Sequence, residues 1–395
     1  MKKILFFAAV LYLVFSVGAQ TSTQNQVQQD SKNKLRLMLP PQLYAVPGRE
    51  MCFYFDNIIL TTNIKNYAFN VDCLKGRQDE TRWRITPVES DVGKFPLSLK
   101  VFNDENKVVA EGMTELVFVP KNAGENRAIS IIIIGDSLTD LFVYPNELKK
   151  LLDEPGNPKV KFIGSHGGLG KAPDATHVAH EGRGGWSWES YCNRWDEKKD
   201  EYNSKSPFLS KNGDAKPVLD FKKYLEKYND GKAPDFITVF LGCNDNFGAN
   251  DSTIDASLDR MCMFSDMLLG EIRKVCPDTK IGLITPVPPA ATQDAFGTNY
   301  QCTQTRWQYR RNQHKAVERV YQKYGNSAKE NIYIIPAYVN LDCENNYPVI
   351  KDPVNARNTK SSERLNNGVH PADSGYNQIA DSLYCWLKYM LSSSK

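Results

Sequence analysis

The chain has 395 residues, 41% of them hydrophobic and 24% charged, which is enough for two domains with substantial cores. Its formal charge is +3, and loss of Lys2 and Lys3 with a leader would lower this to +1, so neither balance points to a nucleic-acid partner. Basic runs such as Arg310-Arg311 and Glu197-Lys198-Lys199-Asp200 are short or mixed in sign and read as solvated faces.

Residues 1–19 have the pattern of a signal peptide: Lys2-Lys3, an apolar run over 4–17, then Gly18-Ala19 before Gln20. The run is short for a membrane span, and no cysteine follows the cleavage point to carry a lipid. An exported protein without an evident membrane anchor is expected, periplasmic or extracellular in a bacterium. Residues 20–35 are rich in Gln, Ser, Asn and Lys and are expected to form a disordered linker. From 36 to 122, short alternating runs at 51–55, 67–71, 82–85, 97–102 and 116–119 are separated by Gly, Pro, Asn and Asp. They predict a small antiparallel β-sandwich, immunoglobulin-like or carbohydrate-binding-like. It shows no ligand constellation, so a structural role is favoured over sugar binding.

A second domain is expected over 128–395. Four isoleucines at 131–134 are too short for an amphipathic helix and read as a buried strand that Gly135 ends. Asp136 and Ser137 follow, and a helix is expected over 140–153, which places Ser137 at a strand-to-helix junction where free N–H groups face incoming negative charge. Taken alone, that serine reads as a helix cap. A strand at 159–164, the glycine-rich Glu181-Gly182-Arg183-Gly184-Gly185-Trp186 and a helix over 219–228 come next. The apolar run 236–241 ends in Gly242-Cys243-Asn244-Asp245, delivering an amide to the same kind of strand terminus. A long helix over 254–275, strands at 281–285 and 332–335, a helix over 316–324 and a closing helix over 374–391 complete the pattern, with Gly368-Val369-His370-Pro371 just before the last. Strands alternating with helices imply a mostly parallel sheet covered on both faces, with ligands at the carboxyl ends of its strands.

In that order, Ser137, Gly185, Asn244 and His370 read as nucleophile, backbone donor, amide donor and base, and over roughly 128–395 the chain resembles the SGNH or GDSL hydrolase superfamily. The resemblance implies an α/β, flavodoxin-like three-layer sandwich, preceded here by the small all-β domain. It also implies a carboxylic ester hydrolase in which Ser137 attacks and His370 carries the proton. The N–H groups of Ser137 and Gly185 and the Asn244 amide would form an oxyanion hole, with Gly184 a weaker choice than Gly185. The family places an Asp three residues before the histidine, where this chain has Asn367. A serine-histidine dyad oriented by Asn367 or a backbone carbonyl, a carboxylate recruited from Glu363 or Asp373, and a degraded enzyme that only binds glycan all stay open. Activity is favoured, because the four principal residues are present.

The other histidines compete poorly with His370. His177-x-x-His180-Glu181 lies in loop-like sequence without a third ligand at metal-site spacing, and neither a metal nor a cofactor is indicated. Nine cysteines permit disulfides, with Cys52–Cys73 and Cys262–Cys302 as hypothetical pairs, and Cys243 reads as a buried small residue. Trp186 and Trp188, and further on Trp195, Trp307 and Tyr309, could stack on a sugar or simply pack. The leading expectation is an esterase that removes a small acyl group, acetyl first, from a carbohydrate. Lipase, thioesterase and arylesterase activities are alternatives on the same scaffold.

Overall fold

The computed structural model describes residues 35–199 and 201–393, so the expected signal peptide and nearly all of the linker lie outside the described residues. Seven strands make up the N-terminal region: β1 (Gln42–Ala45), β2 (Met51–Tyr54), β3 (Ala68–Asp72), β4 (Arg77–Gln78), β5 (Arg82–Ile85), β6 (Gly93–Phe102) and β7 (Val108–Phe118). They form a four-stranded sheet ordered β1-β7-β6-β3 and a three-stranded sheet ordered β2-β5-β4. All pairings are antiparallel except β1 with β7. Alternation along β6 sends Leu97, Leu99 and Val101 into a core that Phe53, Trp83 and Phe118 fill from the other strands.

This region is fastened to the rest of the chain. Val339 completes its core, and Asn57 Nδ2 donates to the Leu341 carbonyl at 2.8 Å. Arg310, only 3% exposed, donates to the carbonyls of Ile59 and Thr61 and to Asp56 Oδ1 at 2.8 Å.

In the second region β8 (Ala128–Gly135) pairs with β9 (Lys159–Ile163) and, through two residues, with β10 (Glu181–Gly182). A small ribbon of β11 (Leu209–Ser210) and β12 (Val218–Leu219) stands apart. The parallel sheet continues through β13 (Phe236–Phe240), β14 (Lys280–Ile284) and β15 (Ile332–Ile335), giving five main strands in the order β9-β8-β13-β14-β15. The isoleucine run explains itself here. Ile131 and Ile133 face one core and Ile132 and Ile134 the other, all fully buried, because successive side chains alternate across a sheet covered on both faces. Burial contributes roughly 1.5–3 kcal/mol per such side chain. Helices Val143–Asp153 and Asp373–Ser392 cover the first face, and helices Trp188–Asn193, Phe221–Tyr228 and Ile254–Val275 the second.

Two differences from the sequence reading stand out. The helix expected at 316–324 runs over Arg306–Tyr324, its first half being polar and charged. A hairpin of β16 (Val349–Asn355) and β17 (Asn358–Leu365) precedes His370, with every residue of β16 exposed and therefore without an apolar alternation to announce it.

Candidate active site

In chain order the main strands of this sheet run 2-1-3-4-5, so the switch of direction falls between β8 and β13, where a crevice opens at the carboxyl ends. Ser137 stands at the end of β8, first residue of the short helix Ser137–Asp140, with Asp136 Oδ1 capping it by accepting from Leu138 N at 2.9 Å. Gly135 allows that tight junction, since a Cβ there would lie 1.9 Å from Thr139 Oγ1. Asn244 follows β13 in the short helix Cys243–Asn246, entered through Gly242 at φ +124. His370 comes from the loop ahead of Asp373–Ser392.

Chain segments more than two hundred residues apart thus meet: His370 Nε2 is 2.8 Å from Ser137 Oγ. Both groups are half-buried, and desolvation lowers the His370 pKa below its ordinary value, which favours the neutral, proton-accepting ring. Its Nδ1 meets no partner among the described residues. Asn367 does not orient the ring: its Oδ1 accepts the backbone N–H groups of Val369 (3.0 Å) and His370 (2.9 Å) and shapes the loop instead. Neither alternative carboxylate replaces it. Glu363 is exposed on β17 and Asp373 is exposed at the start of the last helix.

The three donors expected to face an oxyanion differ in their surroundings. The N–H groups of Ser137 and Gly185 meet no acceptor among the described residues, whereas Gly184 N donates to Asp140 Oδ2 at 3.2 Å. Gly185 is exposed at φ +75 with open space where a Cβ would point. The Asn244 amide is held by Nδ2 donation to the Trp186 carbonyl at 2.9 Å and, more loosely, to Asp136 Oδ2 at 3.3 Å. The looser bond is the one an oxyanion can displace. Burial pushes Asp136 up to about 7 and also raises Asp245, whose carboxylate accepts from Trp188 N and whose charge adds to the shift on Asp136.

Of the two readings of Trp186 and Trp188, stacking or packing, the structure supports packing, with both side chains in the core. Trp186 is fully buried, its Nε1 donating to Asn203 Oδ1 at 2.5 Å, and Trp188 is 5% exposed in the core under Ile254–Val275, so the glycine-rich turn aims both inward. Tyr309 is likewise buried, 3.0 Å from Cys243 Sγ, and burial raises that thiol far above its ordinary pKa. The aromatic surface near the site is Phe247 and Tyr300, half-buried with ring centroids 5.1 Å apart and packed on Val369 and Cys243. The sequence reading missed both, although Phe247 lies three residues after Asn244.

All nine cysteines are free thiols, so neither hypothetical disulfide forms. Cys52 Sγ instead faces Asn340 Oδ1 across the region boundary at 3.1 Å. His166 and His180 pack ring against ring at 4.7 Å, each accepting a backbone N–H through Nδ1. Among the described residues no three His, Cys, Asp or Glu side chains group as metal ligands would.

A parallel sheet with a serine-histidine pair and clustered N–H donors at its switch point defines a nucleophilic acyl-transfer hydrolase. Residues 131–383 match the model of the GDSL-like lipase/acylhydrolase family. The chain belongs to that family and is a carboxylic ester hydrolase. Among solved structures it is similar to a family 3 carbohydrate esterase of Clostridium thermocellum (19% identity, TM-score 0.40, covering 67% of this chain and 98% of that one). It is also similar to a family 3 carbohydrate esterase of Talaromyces cellulolyticus (16%, 0.37, 68% and 100%). A third is a carbohydrate acetylesterase family member of Sinorhizobium meliloti (14%, 0.37, 67% and 99%). No curated protein matches the sequence.

Proposed function

We propose that the protein is an exported esterase that removes small acyl groups, acetyl foremost, from a carbohydrate, with Ser137 as nucleophile and His370 as general base. The observation that carries the mechanism is the 2.8 Å contact between Ser137 Oγ and His370 Nε2 beside unpaired N–H groups. Ser137 Oγ attacks the acyl carbon while its proton passes to His370 Nε2. The tetrahedral oxyanion faces the N–H groups of Ser137 and Gly185 and the Asn244 amide, which releases Asp136 to meet it. Collapse expels the sugar hydroxyl with the proton from His370, and water then attacks the acyl-serine by the same route in reverse.

A small acyl group on a polar carrier is supported by the open space at Gly185 and by the Phe247–Tyr300 pair, since aromatic faces suit a methyl group or the C–H face of a sugar. Export rests on the leader-like residues 1–19. The test is acetate release from p-nitrophenyl acetate and from acetylated polysaccharides, comparing the mature protein with Ser137→Ala. Turnover that disappears in the variant supports the assignment. Equal rates in the two proteins would overturn the role of Ser137, and cleavage of long-chain esters in preference to acetylated glycans would overturn the substrate.

A further inference from the structure

A second concave site of about 420 Å³ lies between the turn that follows β9, the β11–β12 ribbon and the helix Phe221–Tyr228, and neither Ser137 nor His370 lines it. Deep in it is Arg183, 3% exposed, held by Glu181 at 2.9 Å and by Ser165 Oγ at 3.0 Å. Trp195, Tyr202 and Tyr228, all half-buried, contribute aromatic rings, and the Lys205 ammonium stands 5.5 Å from the centre of the Trp195 ring.

The charge in this cleft is unbalanced. Glu181 neutralises Arg183 and Glu197 neutralises Lys211, but Lys205 and Lys223 meet no carboxylate within ion-pair distance among the described residues. Among the described lining residues Asp220 is the one carboxylate, and it accepts from Ser210 Oγ at 2.8 Å and from Lys223 N at 3.0 Å. Its negative charge offsets one of these two lysines and leaves a positive surplus. Surplus cations beside aromatic faces, in a hollow of the size small ligands occupy, need a ligand with an apolar face and an anionic group. A sugar residue bearing a carboxylate or a sulfate has both, its C–H face suiting an indole or phenol ring and its charge an ammonium.

We propose that this cleft binds an anionic sugar residue, with Trp195 as stacking platform and Lys205 and Lys223 as charge partners. The cleft joins the candidate active site through one segment, since Arg183 lines it and Gly184-Gly185 follow. Binding here does not depend on the esterase assignment.

The experiment is calorimetric titration of full-length Ser137→Ala protein with an oligogalacturonate, a sulfated oligosaccharide, a neutral xylo-oligosaccharide of matched length, and sodium sulfate. At least one anionic oligosaccharide is expected to bind about tenfold or more tightly than the neutral one, and to weaken by about tenfold in Lys205→Ala/Lys223→Ala and in Trp195→Ala. Raising the salt from about 50 to about 500 mM is expected to weaken it further, as exposed charges are screened. The two anionic arms distinguish carboxylate from sulfate. Binding that ignores the variants, no preference over the neutral sugar, or equally tight binding of inorganic sulfate would each overturn the proposal. In a Ser137-intact background the variants are expected to retain wild-type melting temperature and hydrolysis of p-nitrophenyl acetate, which separates failure of this site from failure of the catalytic reading.

Discussion

The departure at Asn367 has a local explanation: its side chain is spent on the N–H groups of Val369 and His370, and an Asp would accept the same two bonds. Restoring the charge with Asn367→Asp is therefore expected to change kcat/KM by no more than about threefold, against roughly 10⁴ for disabling the carboxylate of a serine protease triad. A gain of two orders of magnitude would show that the loop lets the carboxylate reach the ring. The pH profile tests the same arrangement. The reactive form of His370 is neutral, and desolvation lowers its pKa, so activity persists below the ordinary imidazole value of about 6.5 and is lost as pH falls through the lowered pKa. An acid limb at or above neutrality would mean that an anion supports the ring after all.

Among the elements, the loop carrying Gly184 and Gly185 depends on Asp140, on the turn after Ser137. Asp140 is 5% exposed; its Oδ1 accepts from Leu169 N at 2.8 Å, its Oδ2 from Gly184 N at 3.2 Å, and its carboxylate also receives the Tyr202 hydroxyl. Asp140→Ala removes the acceptor of these part-buried donors, at less than the roughly 1–3 kcal/mol of a fully buried group each because water can reach them, and frees the loop. The expected result is a kcat for p-nitrophenyl acetate lower by about tenfold or more, with KM little changed and partial rescue in Asp140→Asn. Equal loss in Asn and Ala variants would argue against a positioning role.

Legibility in the sequence followed the same physics. Elements buried on one or both faces carry their pattern in the chain: β13 and the helix Ile254–Val275 were readable nearly to the residue, and β8 was readable from Ile131 on, its first three residues lying ahead of the isoleucine run. The exposed β16–β17 hairpin and the polar half of Arg306–Tyr324 were not, because their order comes from pairing and from tertiary contacts such as those of Arg310. Ser137, Asn244 and His370 were legible because each is marked by the end of a buried strand or the start of an apolar helix. The inward turn of Trp186 and Trp188 depends on how a glycine-rich loop folds, which composition does not state.

At the scale of the molecule, the N-terminal sheets and the α/β region share a polar seam. Arg310 is its centre, reaching Asp56, Ile59 and Thr61 from a helix that belongs to the other region. Removing one side of a buried ion pair costs about 3–5 kcal/mol, so Arg310→Ala is expected to lower stability toward that figure, moderated by the partial exposure of Asp56. Denaturant unfolding of the wild type followed by tryptophan fluorescence and far-UV dichroism is expected to give one coincident transition. Two separated transitions, or a loss below about 0.5 kcal/mol in the variant, would mean that the regions fold independently.

The two helices on one face of the sheet also set a timetable. Val143–Asp153 follows Ser137 almost directly, while Asp373–Ser392 follows His370, and the two lie against each other in one core that includes Leu148, Leu151, Leu383 and Trp386. A ribosome exposes the first of these helices long before the second. Until the later one docks, Ser137 lacks the proton acceptor proposed for it. On the proposed mechanism, activity waits for Asp373–Ser392 to dock against Val143–Asp153, and a change that loosens this packing lowers turnover without touching Ser137 or His370.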